Sequence, residues 1–274
     1  MSHDIFNASS TATWIECSWS ALNAVPDPPR KASTVEAAAS GTASHAVMEA
    51  GRNPDVDIGT EDIWSQGGTW VPPTAARIHA LVSSSAEDDP DKGGAVPGTG
   101  AHTVQVLGLN SSYAEVSETV TLNGTAPVNT ATAYVIIYRM IVLTAGTSGS
   151  NVGNITATAA TDATVTIAIL AAKGQTQAAF YMIPAGKTGY LYAYGGSYNG
   201  AVNSSVTIEL LAKPFGGAWN LKGSLGLTST GGNVAAREYA IPVVYAAKTL
   251  LKIQATSDAN NANVIGWFDL VLEG

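Results

Sequence analysis

From about residue 74 onward the chain is a succession of short β-prone segments broken by turn residues, and this pattern narrows the fold more than any other feature. In "HTVQVLGL" and "SETVTL" apolar and polar residues alternate with period two, as a half-buried strand requires. "ARIHALV", "TAYVIIYRMIVL", "NITATAA", "TVTIAIL", "QAAFYMI", "TGYLYAY", "SVTIELLAK", "REYAIPVVY", "TLLKIQAT" and "IGWFDLVL" read the same way. Between them lie "LNSSYAE", "TAGTSGSN", "IPAGKTG", "GGSYNGAVN" and "TSDANNAN", all rich in turn formers. Roughly ten to twelve strands at near-regular spacing, with no crossover-length helices between them, predict an all-β fold: an antiparallel β-sandwich of jelly-roll type. No fixed repeat period points to a propeller or solenoid.

The first part of the chain reads differently. "VPDPPRK" cannot continue a helix and reads as an extended tether. "STVEAAASGTASHAVMEAG" is rich in helix formers, with Ser33 or Thr34 as N-cap and Gly51 as the stop, so a short helix is expected there. The predicted division is an N-terminal arm over residues 1–54 and a β-sandwich body over 55–274.

Charged residues make up only 12% of the chain, and the net charge is −8. A surface so poor in charge does little to resist association, which implies that copies of the chain or a partner cover much of it. The acidic balance, with no cluster of basic and aromatic residues, argues against nucleic-acid binding. No apolar run approaches the about eighteen residues of a membrane span, and "MSHDIFNASS" does not read as a signal peptide, so a cytoplasmic site of synthesis is expected and no membrane partner. The single cysteine, Cys17, excludes an internal disulfide.

Few residues suggest chemistry. His3, His45, His79 and His102 share no metal-binding spacing, and no nucleophile elbow or P-loop is present, so no catalytic, metal or cofactor residue is assigned. In "NPDVDIGTED" the alternation of Asn53, Asp55 and Asp57 imitates a calcium loop. Gly59 falls one place late, however, and Trp64 stands where a closing Glu belongs, leaving a solvated acidic turn. "AEDDPDKGG", with Glu87, Asp88, Asp89 and Asp91, reads as a solvated hairpin tip. The aromatic feature is "TGYLYAYGGSYNG": period two puts Tyr190, Tyr192 and Tyr194 on one strand face, with Tyr198 in the following turn. Such a row, with Trp219, serves either as a seam between sheets or subunits or as a stacking platform for host glycans, the seam being preferred.

The ordered series "NPDVDIGTEDIW", "NSSYAEVSETVTLNG", "TAGTSGSNVGNIT" and "IPAGKTGYL", spanning about residues 51–200, resembles a family of virion structural proteins of tailed bacteriophages. The resemblance implies a non-enzymatic, multimeric β-rich component of the virion, assembled in the host cytoplasm. Its stations would be a capsid-surface decoration or cement protein bound to the major capsid protein, or a head-fibre or tail-associated protein that binds host glycans. A homo-oligomer follows, and a trimer would suit a capsid threefold axis.

A second resemblance covers the arm. Trp14, Cys17, Gly41, Thr42, Ala43 and His45 are similar to the lead-in of RecB-like and Cas4-like phage exonucleases, where a Trp-x-x-Cys precedes a Gly-Thr-Ala-x-His helix. Such enzymes need a metal-binding Asp and a Glu-x-Lys, often with three more cysteines. This chain has no Glu-x-Lys and no second cysteine, so the resemblance stops before the catalytic half.

Overall fold

The computed structural model describes residues 45–94 and 96–274. Sixteen strands carry the described chain, and no α-helix occurs among those residues. The first two are β1 (His45–Val56) and β2 (Gly59–Asp62). A block of seven follows: β3 (His79–Ser83), β4 (Ala101–Asn110), β5 (Glu115–Thr121), β6 (Val128–Asn129), β7 (Tyr134–Ala145), β8 (Ile155–Ala159) and β9 (Thr164–Ile169). The last seven are β10 (Phe180–Met182), β11 (Thr188–Asn199), β12 (Ser205–Lys213), β13 (Asn220–Thr228), β14 (Val234–Tyr245), β15 (Leu250–Ser257) and β16 (Ala262–Glu273).

Strand pairing reveals one long hairpin wound on itself. β12 pairs with β13, β11 with β14, β10 with β15 and β1 with β16, all antiparallel. Winding brings β16 against β11 and β15 against β12, giving two four-stranded sheets in the orders β1-β16-β11-β14 and β10-β15-β12-β13. Counting only these eight strands, the orders are first-eighth-third-sixth and second-seventh-fourth-fifth, the jelly-roll arrangement. The chain leaves this jelly roll after β1, builds two further sheets, β6-β3-β8-β9 and β5-β4-β7, and returns at β10. The expected single sandwich is therefore a jelly roll with a second β unit inserted between its first and second strands.

Local sequence explains the packing. β12 alternates as the pattern requires, sending Val206, Ile208, Leu210 and Ala212 into the core. The facing sheets approach closely because two core positions lack side chains. A Cβ at Gly196 would collide with Ile208, and one at Gly266 with Ile253. β11 accordingly runs through Gly195 and Gly196 to Asn199, where the sequence alone predicts a turn.

The helix expected over 33–51 is corrected where it can be followed: His45–Gly51 is strand, and β1 runs through the predicted boundary at 54 with a register shift between Asn53 and Val56 that accommodates Pro54. Burial against β16 outweighs the local propensity of an Ala-rich run. Residues 1–44 lie outside the described part, and with them Ser33, Thr34 and the tether.

Asp55, Asp57 and Asp91 are exposed, as a solvated turn or tip requires, but other acidic residues of the two segments are structural. Asp88 is fully buried; its carboxylate accepts hydrogen bonds from the Ser83 hydroxyl and from the backbone N–H groups of Ala101 (2.7 Å), Val152 (2.8 Å) and Gly153 (2.8 Å). Glu87 pairs with Lys92 and accepts from the Thr99 N–H. In the upstream segment buried Asn53 donates to Glu61, which also accepts the N–H groups of Gly68 and Asp57, while buried Asp62 accepts from Trp70 N–H and pairs with Lys252 at 2.6 Å. Asp88→Ala would leave three backbone donors without an acceptor in a dry site, and should cost about 3 kcal/mol in chemical denaturation. A loss under about 1 kcal/mol would contradict this role.

Candidate functional site

The tyrosine row is divided by a β-bulge. Against β16, Leu191 pairs with Leu270 and Ala193 with Asp269, so Tyr192 is an extra residue in the strand. The extra residue reverses parity beyond it. Tyr190 stays on the outer face, half-buried beside Glu273, whereas Tyr194 and Tyr198 point inward and are buried. Tyr194 reaches across to Gly223 on β13, whose missing side chain makes room for the phenol, and stacks with Tyr239 at 6.4 Å. Tyr198 lies in β11, not in a turn, and shares a hydrogen bond with Ser204. Tyr192 sits beside Tyr190 and Glu273 with only 3% of its surface exposed. Opposite it, residues 239–242 of β14 leave the ladder between the Leu191–Val243 and Ala193–Glu238 pairs, framing a hollow of about 400 Å³ lined by Tyr192, Glu238, Tyr239 and Ala240. Trp219 stands apart from the row: its partly buried ring faces the ammonium groups of Lys252 at 4.8 Å and Lys213 at 6.0 Å, over the buried Asp62–Lys252 pair.

The histidines fall into ordinary positions. His79 is buried in β3, with Nδ1 3.0 Å from the Arg77 carbonyl, and burial lowers its pKa. His102 in β4 places Nε2 2.8 Å from the Gly98 carbonyl. His45 begins a strand, not the helix of the exonuclease lead-in, and Trp14, Cys17, Gly41, Thr42, Ala43 and His3 lie outside the described residues. Among the described residues no group of His, Cys, Asp or Glu could hold a metal ion, and no helix is long and apolar enough to cross a membrane.

Two surfaces escaped the sequence reading. One is a groove of about 530 Å³ where β1 of the jelly roll meets β5 and β7 of the inserted unit. Its floor holds Glu49, almost wholly buried, whose carboxylate accepts from Arg139 Nη2 at 3.0 Å, while the same nitrogen donates to the Met48 carbonyl at 2.9 Å. Glu115 accepts from the Tyr181 hydroxyl at 3.0 Å and lies 3.6 Å from His45 Nε2. Tyr138 and Tyr181 meet at 4.9 Å between centroids, so both units contribute to one aromatic contact under the groove.

The second surface is the flank formed by β13 and β14, the end strands of the two jelly-roll sheets. Both are exposed along most of their length, and Leu221, Val234, Ile241 and Val244 each show more than half of their surface to solvent. Pro242, which cannot donate to a ladder, falls in the stretch of β14 outside the pairing, as an edge strand permits.

No family model matches the sequence, and no curated protein matches it. Among solved structures the chain is similar to particles of infectious bursal disease virus. The Gt strain shares 10% identity over 91% of this chain and 74% of that one, with a TM-score of 0.21. The Gx strain shares 10% over 84% and 72%, with a TM-score of 0.22. The VP2 subviral particle shares 9% over 91% and 74%, with a TM-score of 0.21. These weak neighbours come from viral particles, but superposition at that level does not establish a common fold, and the jelly-roll assignment rests on strand order.

Burial pushes the Glu49 carboxyl up to about 7, and Arg139 only partly opposes the shift. A carboxyl raised in the folded state binds its proton more tightly there than in the unfolded chain. Its stabilising effect is therefore complete at low pH and is lost as pH rises from about 4.5 to about 7. Glu49→Gln removes this term, so the difference in melting temperature between the variant and the wild type should shift in favour of the variant between pH 5 and pH 8. A pH-independent difference would show that Arg139 keeps Glu49 ionised throughout.

Proposed function

We propose that this chain is a non-enzymatic structural protein of a virus particle, a decoration or cement protein that oligomerises and clamps capsid subunits. The observation that carries the reading is the β13–β14 flank. Two neighbouring edge strands combine bare backbone groups with a band of large apolar side chains, on a chain with few charges to keep copies apart. Such an edge templates association unless something covers it, and repetition by symmetry turns many modest contacts into a stable assembly. The inserted unit adds a second rigid body that can touch a different neighbour from the one the flank touches. The N-terminal arm, in this reading, is a tether across neighbouring subunits.

A second reading, a head-fibre or tail-associated protein that binds host glycans, draws on the hollow beside the bulge, where Tyr239 and Tyr192 accompany the carboxylate of Glu238. Tyr194 and Tyr198 add nothing to it, because their rings are buried in the chain's own core, and Trp219 lies over buried lysine chemistry.

The purified chain should form a homo-oligomer by light scattering at micromolar concentration, and added to expanded capsids it should raise their melting temperature. Val234→Asp with Ile241→Asp should dissociate the oligomer while changing the stability of the single chain by no more than about 0.5 kcal/mol, since both side chains are solvent-exposed in it. Unchanged assembly in the double variant would sink the flank as the contact; binding to host cells without any effect on capsids would favour the second reading.

A further inference from the structure

We propose that the groove beside β1 receives the basic pair Arg30–Lys31 from the N-terminal arm of a second copy, the arm adding along the open edge of the jelly roll. This deepens the assembly reading above and rests on its view of the arm as a tether between subunits.

The groove offers a strand edge. β1 is the end strand of its sheet, with β16 on one flank. On the other flank Arg139 reaches the Met48 carbonyl and Arg52 N–H reaches the Gln177 carbonyl, so backbone groups of even-numbered residues point that way. N–H and C=O of alternate residues share a flank in an extended strand, which turns those of Ala46 and Ala50 toward the groove as well. An added extended segment satisfies such groups, and side-chain pockets beside it set which sequence fits.

Charge selects the segment. The groove holds two carboxylates, and its guanidinium, Arg139, is engaged by Glu49 and the Met48 carbonyl. Glu115, with about a third of its side chain exposed, has among the described residues the His45 imidazole as its ion-pair partner, and that ring balances it only when protonated. Beneath Glu115 the buried Tyr181 donates its hydroxyl to the carboxylate and packs against Tyr138, which holds that carboxylate at the groove wall. Residues 1–44 contain four acidic residues, Asp4, Glu16, Asp27 and Glu36, and two basic ones, the adjacent Arg30 and Lys31. The arm joins β1 at His45, on the wall of this groove. The residues from 32 to 44 can span roughly 45 Å when extended, enough to reach the groove of a neighbouring subunit. Exchange between copies covers the open edge in every subunit at once, which an isolated partner would not do.

The test is zero-length carbodiimide crosslinking of the full chain after mixing subunits grown on light and heavy nitrogen. The expected product is a Lys31–Glu115 crosslink that joins light to heavy chains. Glu115→Lys should weaken assembly by about tenfold in dissociation constant, and adding Arg30→Glu and Lys31→Glu to it should restore assembly to within about threefold of wild type. Crosslinks confined to chains of one isotope, no crosslink in an assembled sample, or no rescue by the charge exchange would each overturn the proposal while leaving the flank-based assembly standing. Failure of the wild-type chain to assemble at all would overturn both.

Discussion

The pairing of β1 with β16 is the contact on which the rest of the architecture depends. It joins His45 to Leu272 and carries through Gly51 opposite Gly266, closing the outermost turn of the wound hairpin across almost the whole described chain. Gly51 shows how tight this closure is, since a Cβ there would strike the backbone of Ala179 and Ile63. Those two residues lie where the chain leaves and re-enters the jelly roll. The inserted unit is therefore fixed at its root by the same glycine that lets β1 lie flat. Contacts of such long sequence separation tie the two ends of the described chain into one body, and a fold rich in them is slow to form.

With its ends pinned there, the insertion is fastened to the jelly roll by rings and by buried charge. Trp70 stacks on Phe180 at 4.0 Å and donates to the Thr166 carbonyl at 2.8 Å; Tyr138 meets Tyr181; Arg139 meets Glu49. A chain with few charged residues has placed Glu49, Asp62, Asp88 and Lys252 in its interior, each with hydrogen-bonding or ionic partners. A buried charge fixes geometry more than it adds stability, because a displaced partner leaves it unpaired. On the β13–β14 flank three exposed charges, Lys222, Arg237 and Glu238, stand among exposed Leu221, Val234, Ile241 and Val244.

Most of the strands were legible because their alternation coincides with burial, as in β12, where every second residue enters the core. β13 was not, since Gly223 and Gly226 interrupt its pattern and most of its residues are exposed. β1 was hidden beneath helix-forming alanines whose local preference yields to pairing with β16. The acidic runs were misleading in a different way: sequence shows that Asp88 is charged but not that four donors converge on it from Ser83, Ala101, Val152 and Gly153. The tyrosine row failed at a single residue. Period two holds up to Leu191, and the bulge at Tyr192, invisible to a pattern, sends Tyr194 into the core. Neither the groove nor the flank has a sequence signature, because each is made by strands far apart in the chain.

The central claim is that the bare β13–β14 flank is covered by identical neighbours when the protein is assembled. Hydrogen–deuterium exchange at concentrations above and below assembly tests it directly. Within residues 234–241, the amides that do not face β11 should be strongly protected in the assembled sample and exchange freely on dilution, while those of β12 and β15 stay protected in both. Equally rapid exchange, in the two samples, of the amides in 234–241 that do not face β11 would contradict the account.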